Sequence, residues 1–136
     1  MTWHSALQKL IDEFAEIDDQ MERLEMLYDL AEEVEELPTS QWNDITRVKG
    51  CQSEAHLIVE IDDTVHLMGA ADAKLVQGLM GILTIAVNDR SPEEVLDLSP
   101  EFAAEMKILN TLTPSRSNGF RNMFDRIQSD IKELIK

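Results

Sequence analysis

Apolar residues recur every three or four positions over residues 7–34, the spacing that places side chains on one face of an α-helix. Acidic residues occupy the opposite face of the second half of this stretch, and Pro38 follows it as a helix-terminating residue. The pattern predicts two amphipathic helices before residue 38. Their inward positions are Leu7, Leu10, Ile11 and Phe14 in the first, and Met21, Leu24, Leu27, Tyr28, Ala31 and Val34 in the second.

The spacing of apolar residues changes to two after residue 54. Apolar and mostly polar residues alternate over residues 55–61, which predicts a half-buried strand. Asp62–Asp63 then suit a tight turn, and residues 65–70 continue as a second strand, so the two form a hairpin. A shorter extended segment, Asp44–Val48, is expected to pair beside the hairpin. The prediction is a small three-stranded antiparallel sheet.

A nearly uniformly apolar helix is predicted to follow the hairpin, over residues 72–87. Such a helix belongs in the interior, where we expect it to pack on the sheet. Asp72 is expected to cap its first turn. Gly78 and Gly81 each weaken a helix by about 1 kcal/mol relative to alanine, and we expect them to allow close contact between this helix and the sheet.

Two Ser-Pro pairs mark further helix starts near the C-terminal end. Ser91-Pro92 with Glu94 has the form of a capping box, and Ser99-Pro100 predicts a helix through Ile108. A loop is predicted over Thr111–Asn118. The last helix then carries a stripe made of Phe120, Met123, Phe124, Ile127, Ile131 and Leu134. In total the chain is predicted to form a single α+β domain over residues 1–136, with the small sheet packed against helices.

The chain is strongly acidic, with 27 acidic and 12 basic residues and a formal net charge of −15. A field of this sign repels phosphate backbones and anionic lipid headgroups, so neither nucleic acid nor a membrane surface is an expected partner. No apolar run reaches the roughly 18–20 residues that a membrane span requires. With one cysteine the chain cannot form an internal disulfide, and a reducing cytoplasm is the expected compartment.

The single cysteine, Cys51, follows Gly50 and precedes Gln52 and Ser53 in a polar turn at a predicted strand boundary. Such a position differs from the usual buried site of a structural thiol. Two cations, Arg47 and Lys49, stand close by in an otherwise acidic chain and favour the thiolate, which is the nucleophilic form of cysteine. An incidental buried thiol is the alternative interpretation.

The histidines offer two other kinds of chemistry for Cys51. A cysteine hydrolase needs a nearby base, and His56 and His66 lie on the predicted hairpin, where half-exposed strand histidines are the simpler interpretation. A metal site from Cys51, these histidines and a carboxylate matches no recognised ligand spacing, and we expect no metal site. Further along, Arg116 lies in a polar cluster that suits a loop and helix cap, and that also suits an anion- or thiolate-binding patch.

Three segments of this sequence together resemble the SufE family of cysteine desulfuration proteins. They are Gly50-Cys51-Gln52-Ser53, the segment Gly69-Ala70-Ala71-Asp72-Ala73 leading to Gly78-Leu79, and Leu112-Thr113-Pro114-Ser115-Arg116-Ser117-Asn118-Gly119. The three occur in the order and at the separations typical of the family, and the likeness extends over essentially the whole chain.

The resemblance implies a fold like that of the IscU-type scaffolds and a role in sulfur transfer. Proteins of this family accept a persulfide sulfur from a SufS-type cysteine desulfurase, stimulate it, and pass the sulfur to the SufBCD scaffold of iron–sulfur cluster assembly. By resemblance Cys51 is the acceptor, Gly50, Gln52 and Ser53 shape its loop, and Asp72 and Arg116 lie near the desulfurase-facing surface. The implied protein is no enzyme itself and holds no cofactor, because the pyridoxal phosphate belongs to the desulfurase.

Two rival functions remain open from the residues alone. The chain could regulate a desulfurase or a scaffold by binding it without carrying sulfur. It could also act as a monothiol redox protein, although Cys51-Gln52-Ser53 lacks one residue of the C-x-x-S pattern.

Overall fold

Helices precede and follow a short sheet along the chain in the computed structural model, which describes residues 3–50 and 53–136. Within these ranges the α-helices are α1 Ser5–Ala15, α2 Gln20–Leu30, α3 Lys74–Val87, α4 Pro92–Asp97, α5 Phe102–Glu105 and α6 Pro114–Leu134. The strands are β1 Glu35–Glu36, β2 Ala55–Ile61 and β3 Val65–Ala71, and short 3₁₀ turns occupy Ala31–Glu33 and Thr39–Gln41. The predicted α+β class and the two N-terminal helices are confirmed.

The sheet has three strands in the order β1-β3-β2. The predicted hairpin is confirmed, since β2 and β3 pair antiparallel from Ala55 opposite Ala71 to Ile61 opposite Val65. The third strand, however, is β1, which pairs in parallel with β3. The sheet is therefore mixed, and the predictions of a purely antiparallel sheet and of Asp44–Val48 as its third strand are wrong.

The segment before the cysteine loop touches the sheet without joining it as a strand. It forms a single bridge between Arg47 and His56, flanked by a hydrogen bond from the Leu57 N–H to the Thr46 carbonyl at 2.9 Å. A turn precedes the bridge because the Asn43 side chain accepts hydrogen bonds from the N–H groups of Ile45 and Thr46. This turn prevents a longer extended run.

Helix α3 is buried between α2 and the sheet, as its apolar composition predicts. Its two glycines face α2, so the predicted glycine contact with the sheet is wrong. A β-carbon at Gly78 would overlap the backbone carbonyl of Leu27, and one at Gly81 would overlap that of Leu30. The two helix backbones approach closely because these positions lack side chains.

Helices α4 and α6 each begin at a serine or threonine whose side chain caps the first turn. Ser91 accepts a hydrogen bond from the Glu94 N–H at 3.1 Å, which confirms the capped start of α4. The helix expected through Ile108 is reduced to α5, and Lys107 follows it with a positive φ of 66°. The predicted loop through residue 118 is wrong, because Thr113 caps α6 and Pro114 takes its first position.

One hydrophobic cluster runs through the described residues. The rings of Phe14, Phe102, Phe120 and Phe124 are fully buried in it, and α6 contributes two of them. Because Phe120 and Phe124 anchor α6 in the core, this part of the helix is a fixed support for the loop between Val48 and Ala55. In the described part of the chain, no helix combines the length and the apolar character needed to cross a bilayer.

Candidate functional site

The candidate site is the loop between Val48 and Ala55, together with the helices that face it. Cys51 and Gln52, the predicted acceptor and its neighbour, lie outside the described residues, so the site is built here from their surroundings. The loop is closed at its base by a hydrogen bond from the Val48 N–H to the Ala55 carbonyl at 2.8 Å. This bond closes a connection of six residues, 49–54, and Cys51 and Gln52 are the two residues of that connection that the structure does not describe.

The segment entering the loop is held by α6. The Asn122 side-chain amide donates to the carbonyl of Gly50 at 3.1 Å. One turn later along the helix, the Arg126 guanidinium donates to the carbonyls of Arg47, at 2.9 Å, and Ile45. Gly50 itself has a φ of +86°, a conformation that glycine adopts without strain.

The segment leaving the loop is held by the turn between β3 and α3. The Asp72 carboxylate accepts a hydrogen bond from the Glu54 N–H at 3.1 Å, and the Asp72 N–H donates to the Glu54 carbonyl at 3.0 Å. The prediction that Asp72 caps the following helix is wrong, because Ala73 is the N-cap residue and makes no side-chain cap. Asp72 instead fixes the backbone three residues after Cys51.

A small cavity of about 50 Å³ lies beside the loop. A cavity needs roughly 10–15 Å³ of such space to hold one water molecule, so this one has room for a few heavy atoms. Its wall is mostly apolar, with one cation from the first turn of α6. The lining residues are Ser53, Val76, Leu79, Ser115, Arg116, Gly119, Phe120 and Met123.

The cavity brings together two of the residues singled out in the sequence, Ser53 and Arg116, although Arg116 lies 63 positions after Ser53. Asp72 is absent from its lining and borders a separate surface groove with Glu36 and Lys74. The positive end of α6 and the positive charge of Arg116 favour partial negative charge, and the apolar part of the wall is poorly hydrated. Such a cavity suits a small, polarisable, partly anionic group such as a sulfur atom.

His56 is buried, with 3% of its surface exposed, so the prediction of a half-exposed histidine is wrong here. Its ring stacks on Trp42 at a centroid distance of 4.5 Å, and its Nδ1 lies 2.7 Å from the Thr46 hydroxyl. Its Nε2 makes no hydrogen bond and lies 3.6 Å from the Glu54 carboxylate. Trp42, a residue that the sequence did not single out, covers this face of the sheet.

His66 behaves as predicted, with its side chain 44% exposed and paired with Glu35 on β1. It lies opposite Glu60, whereas His56 lies opposite Ala70, so the two rings are four residues apart along the hairpin. At about 3.3 Å per residue they are separated by roughly 13 Å, which is too far for one metal ion. In residues 3–50 and 53–136, no group of three histidine or acidic side chains is arranged to hold a metal.

Asn122 and Arg126 are the functional candidates that sequence reasoning missed. Both are polar residues on a helix that otherwise shows an apolar stripe, which is the ordinary pattern of an exposed face. The only available signal was an asparagine inside a helix, where it is a poor helix former. Their partners lie 72 to 81 residues earlier, so no local pattern links them.

Comparisons with known proteins agree on one family. The model of the family SufE, described as "Fe-S metabolism associated domain", matches residues 8–131. An uncharacterized SufE-like protein of Synechocystis sp. is 32% identical over 124 residues, which cover 90% of this chain and 78% of the relative. An uncharacterized SufE-like protein of Rhizobium meliloti is 25% identical over 132 residues, covering 93% and 94% of the two chains.

A solved structure has the same fold. The solution structure of a hypothetical protein from Thermus thermophilus superposes with a TM-score of 0.83 and covers 98% of both chains, at 22% sequence identity.

Proposed function

The chain belongs to the SufE family, which is associated with Fe–S metabolism, and from this premise we propose that it is a sulfur acceptor and carrier. In this proposal the chain takes the persulfide sulfur of a SufS-type cysteine desulfurase onto Cys51. It thereby stimulates the desulfurase, and it passes the sulfur to a SufBCD-type scaffold. The setting is the cytoplasm. The pyridoxal phosphate of the reaction belongs to the desulfurase.

The observation that carries the proposal is the cavity beside the cysteine loop. A persulfide is readily attacked by thiols and oxidants, so a carrier benefits from a water-poor place for the terminal sulfur. The cavity has room for a few heavy atoms, and its lining combines the apolar residues Phe120 and Met123 with the cationic residue Arg116. An apolar wall is poorly hydrated, and a nearby cation stabilises the negative charge of a persulfide anion.

Sulfur transfer to Cys51 is a thiol exchange reaction. The Cys51 thiolate attacks the terminal sulfur of the desulfurase persulfide, and a new S–S bond forms on Cys51. The S–S bond of the donor breaks, and the desulfurase cysteine leaves as a thiolate. One sulfur atom moves, and no external oxidant or reductant is consumed. In a second exchange of the same kind, an acceptor thiolate attacks the terminal sulfur on Cys51, and Cys51 leaves as a thiolate.

The desulfurase itself supplies a functional test. Alanine formation by a SufS-type desulfurase is measured with cysteine as substrate, with the protein absent, present, or replaced by Cys51→Ser. The proposal predicts that the wild-type chain raises turnover and that the serine variant does not, because only a thiolate can remove the enzyme-bound sulfur. Equal stimulation by both proteins would contradict the carrier role and support the regulatory alternative.

The role of the cavity is tested separately with Arg116→Met, which keeps a long side chain and removes the charge. Lys132→Met on the same helix, beyond the cavity lining, serves as the matched control. We expect the persulfide on Arg116→Met to be lost to a competing thiol faster than that on the wild type or the control, by about tenfold, the change that corresponds to the lower end of the range for a contact to a charged group. Equal lifetimes in all three proteins would contradict a role of the cavity in holding sulfur.

A further inference from the structure

Two polar side chains on α6 bind the segment that leads into the cysteine loop. Asn122 donates to the Gly50 carbonyl, and Arg126, one turn further, donates to the carbonyls of Ile45 and Arg47. Arg126 is held in this orientation by Asp130, whose carboxylate accepts from its Nε at 3.0 Å. Exposed helix residues commonly point to water, whereas these two bind three backbone groups of one segment.

Among the described residues, the backbone hydrogen bonds that tie this segment to β2 extend no further than Val48. They run from the Leu57 N–H to the Thr46 carbonyl and from the Val48 N–H to the Ala55 carbonyl, on either side of the bridge between Arg47 and His56. Beyond Val48, within the part of the chain that the structure describes, the hydrogen bond from Asn122 to the Gly50 carbonyl reaches furthest toward the cysteine from this side. The carbonyl of Gly50 belongs to the peptide unit that joins it to residue 51, so fixing this carbonyl restricts the rotation of that peptide unit.

The same helix supplies the wall of the cavity. Arg116 lines the cavity and Asn122 follows six residues later, a separation of about 9 Å along the helix axis. The buried rings of Phe120 and Phe124 anchor this part of α6 in the core. A contact from Asn122 to Gly50 therefore sets the loop backbone at a fixed place relative to Arg116 and the cavity.

We propose that Asn122, supported by Arg126, is a positioning residue for the Cys51 thiol: it holds the peptide unit entering Cys51 against the helix that lines the cavity. This inference rests on the proposed function for its biological meaning. Its physical content, the restraint on residue 51, does not depend on sulfur transfer and is measured without any partner protein.

The direct test is the alkylation rate of Cys51 by a neutral reagent in the native protein. Asn122→Leu keeps the size of the side chain and removes its donor, and leucine is a better helix former than asparagine, so α6 is not weakened. We expect alkylation to be about fivefold faster than in the wild type, the change that the net loss of one ordinary hydrogen bond produces in an equilibrium.

Gln128 provides a matched control on the same helix. Its side-chain amide also donates to backbone carbonyls, those of Val95 at 2.9 Å and Leu98 at 3.0 Å, far along the chain from residue 51. Gln128→Met removes this donor with little change of shape, and we expect the alkylation rate to stay at the wild-type value. An unchanged rate in Asn122→Leu, or an equal rise in Gln128→Met, would overturn the proposal.

A second readout separates positioning from general loss of structure. With a desulfurase as sulfur donor, Asn122→Leu is expected to lower the kcat of transfer about fivefold and to leave KM unchanged, because the restraint orients the thiol and does not form the docking surface. Asn122→Gln keeps the amide and is expected to recover most of the rate. A rise in KM with unchanged kcat would contradict the assignment.

The two proposals fail in different ways. If the wild-type chain accepts no sulfur but Asn122→Leu still accelerates alkylation, the carrier function is wrong and the positioning contact stands. If the wild type accepts sulfur and Asn122→Leu matches it in both alkylation and transfer, the positioning role is wrong and the carrier function stands.

Discussion

Replacing Gly50 with alanine should reduce stability through two separate effects. The φ of +86° at this position lies in the region that residues with a β-carbon avoid. In addition, a β-carbon at Gly50 would overlap the Asn122 side-chain amide, the group that donates to the Gly50 carbonyl. The amide end of asparagine can rotate away, but the hydrogen bond is then lost.

The expected size of the effect follows from these two contributions. Adopting the left-handed region costs a non-glycine residue about 1–2 kcal/mol. Loss of the Asn122 hydrogen bond costs about 1 kcal/mol more. The free energy of unfolding of Gly50→Ala should therefore fall by about 2–3 kcal/mol, whereas Lys49→Ala, an exposed change one residue earlier, should stay within about 0.5 kcal/mol of the wild type.

The two contributions can be separated by a double-mutant cycle with Asn122→Ala. Once the amide is gone, Gly50→Ala should cost only the backbone contribution of about 1–2 kcal/mol, so the coupling energy between the sites should be about 1 kcal/mol. Urea unfolding followed by tryptophan fluorescence gives all four free energies. A coupling energy near zero, or a loss below about 0.5 kcal/mol for Gly50→Ala alone, would refute this account of the loop.

Three further substitutions, measured by the same urea unfolding, test a helix–helix contact, a helix cap and an exposed ion pair. Gly78→Ala should lower the free energy of unfolding by about 1–3 kcal/mol, although alanine favours helices, because its β-carbon meets the rigid Leu27 carbonyl; a gain in stability would contradict this. Thr113→Ala should cost about 1 kcal/mol through loss of the N-cap of α6, and an unchanged midpoint would argue against that cap. His66→Ala should cost less than about 1 kcal/mol because its pair with Glu35 is exposed, and a larger loss would mean that the pair holds β1 in place.

The features that the sequence predicted correctly are those encoded by neighbouring residues. The stripe that includes Leu7 and Phe14 identified α1, and the alternation after Ala55 identified the hairpin of β2 and β3. In both cases the periodicity extends over enough residues to distinguish a helix from a strand. The capped start at Ser91 was equally local.

The features that the sequence missed depend on contacts between distant segments. Strand β1 consists of two exposed glutamates, too few for any periodicity, and its place is set by pairing with β3. His56 alternates like an exposed strand residue, but Trp42 covers it. Asn122 looks like an ordinary surface residue until the fold brings Gly50 to it.

The candidate site was predictable in part for the same reason. The cysteine loop and Arg116 could be singled out from residue types and from the resemblance to the SufE family. Ser53 and Arg116 line one cavity only because α6 packs against the loop, which no local pattern shows. Asp72 binds Glu54 because the ends of β2 and β3 pair, whereas a capping rule applied to the helix alone assigned Asp72 to the helix.

The central claim, that Cys51 bears a transferable sulfur, is tested most directly by the intact mass of the protein. The chain is incubated with a SufS-type desulfurase, pyridoxal phosphate and cysteine, and is then weighed. The account predicts a gain of about 32 Da, one sulfur atom, that disappears on reduction and is absent from Cys51→Ser. A wild-type mass that stays unchanged while the desulfurase turns over, or the same gain in Cys51→Ser, would contradict it.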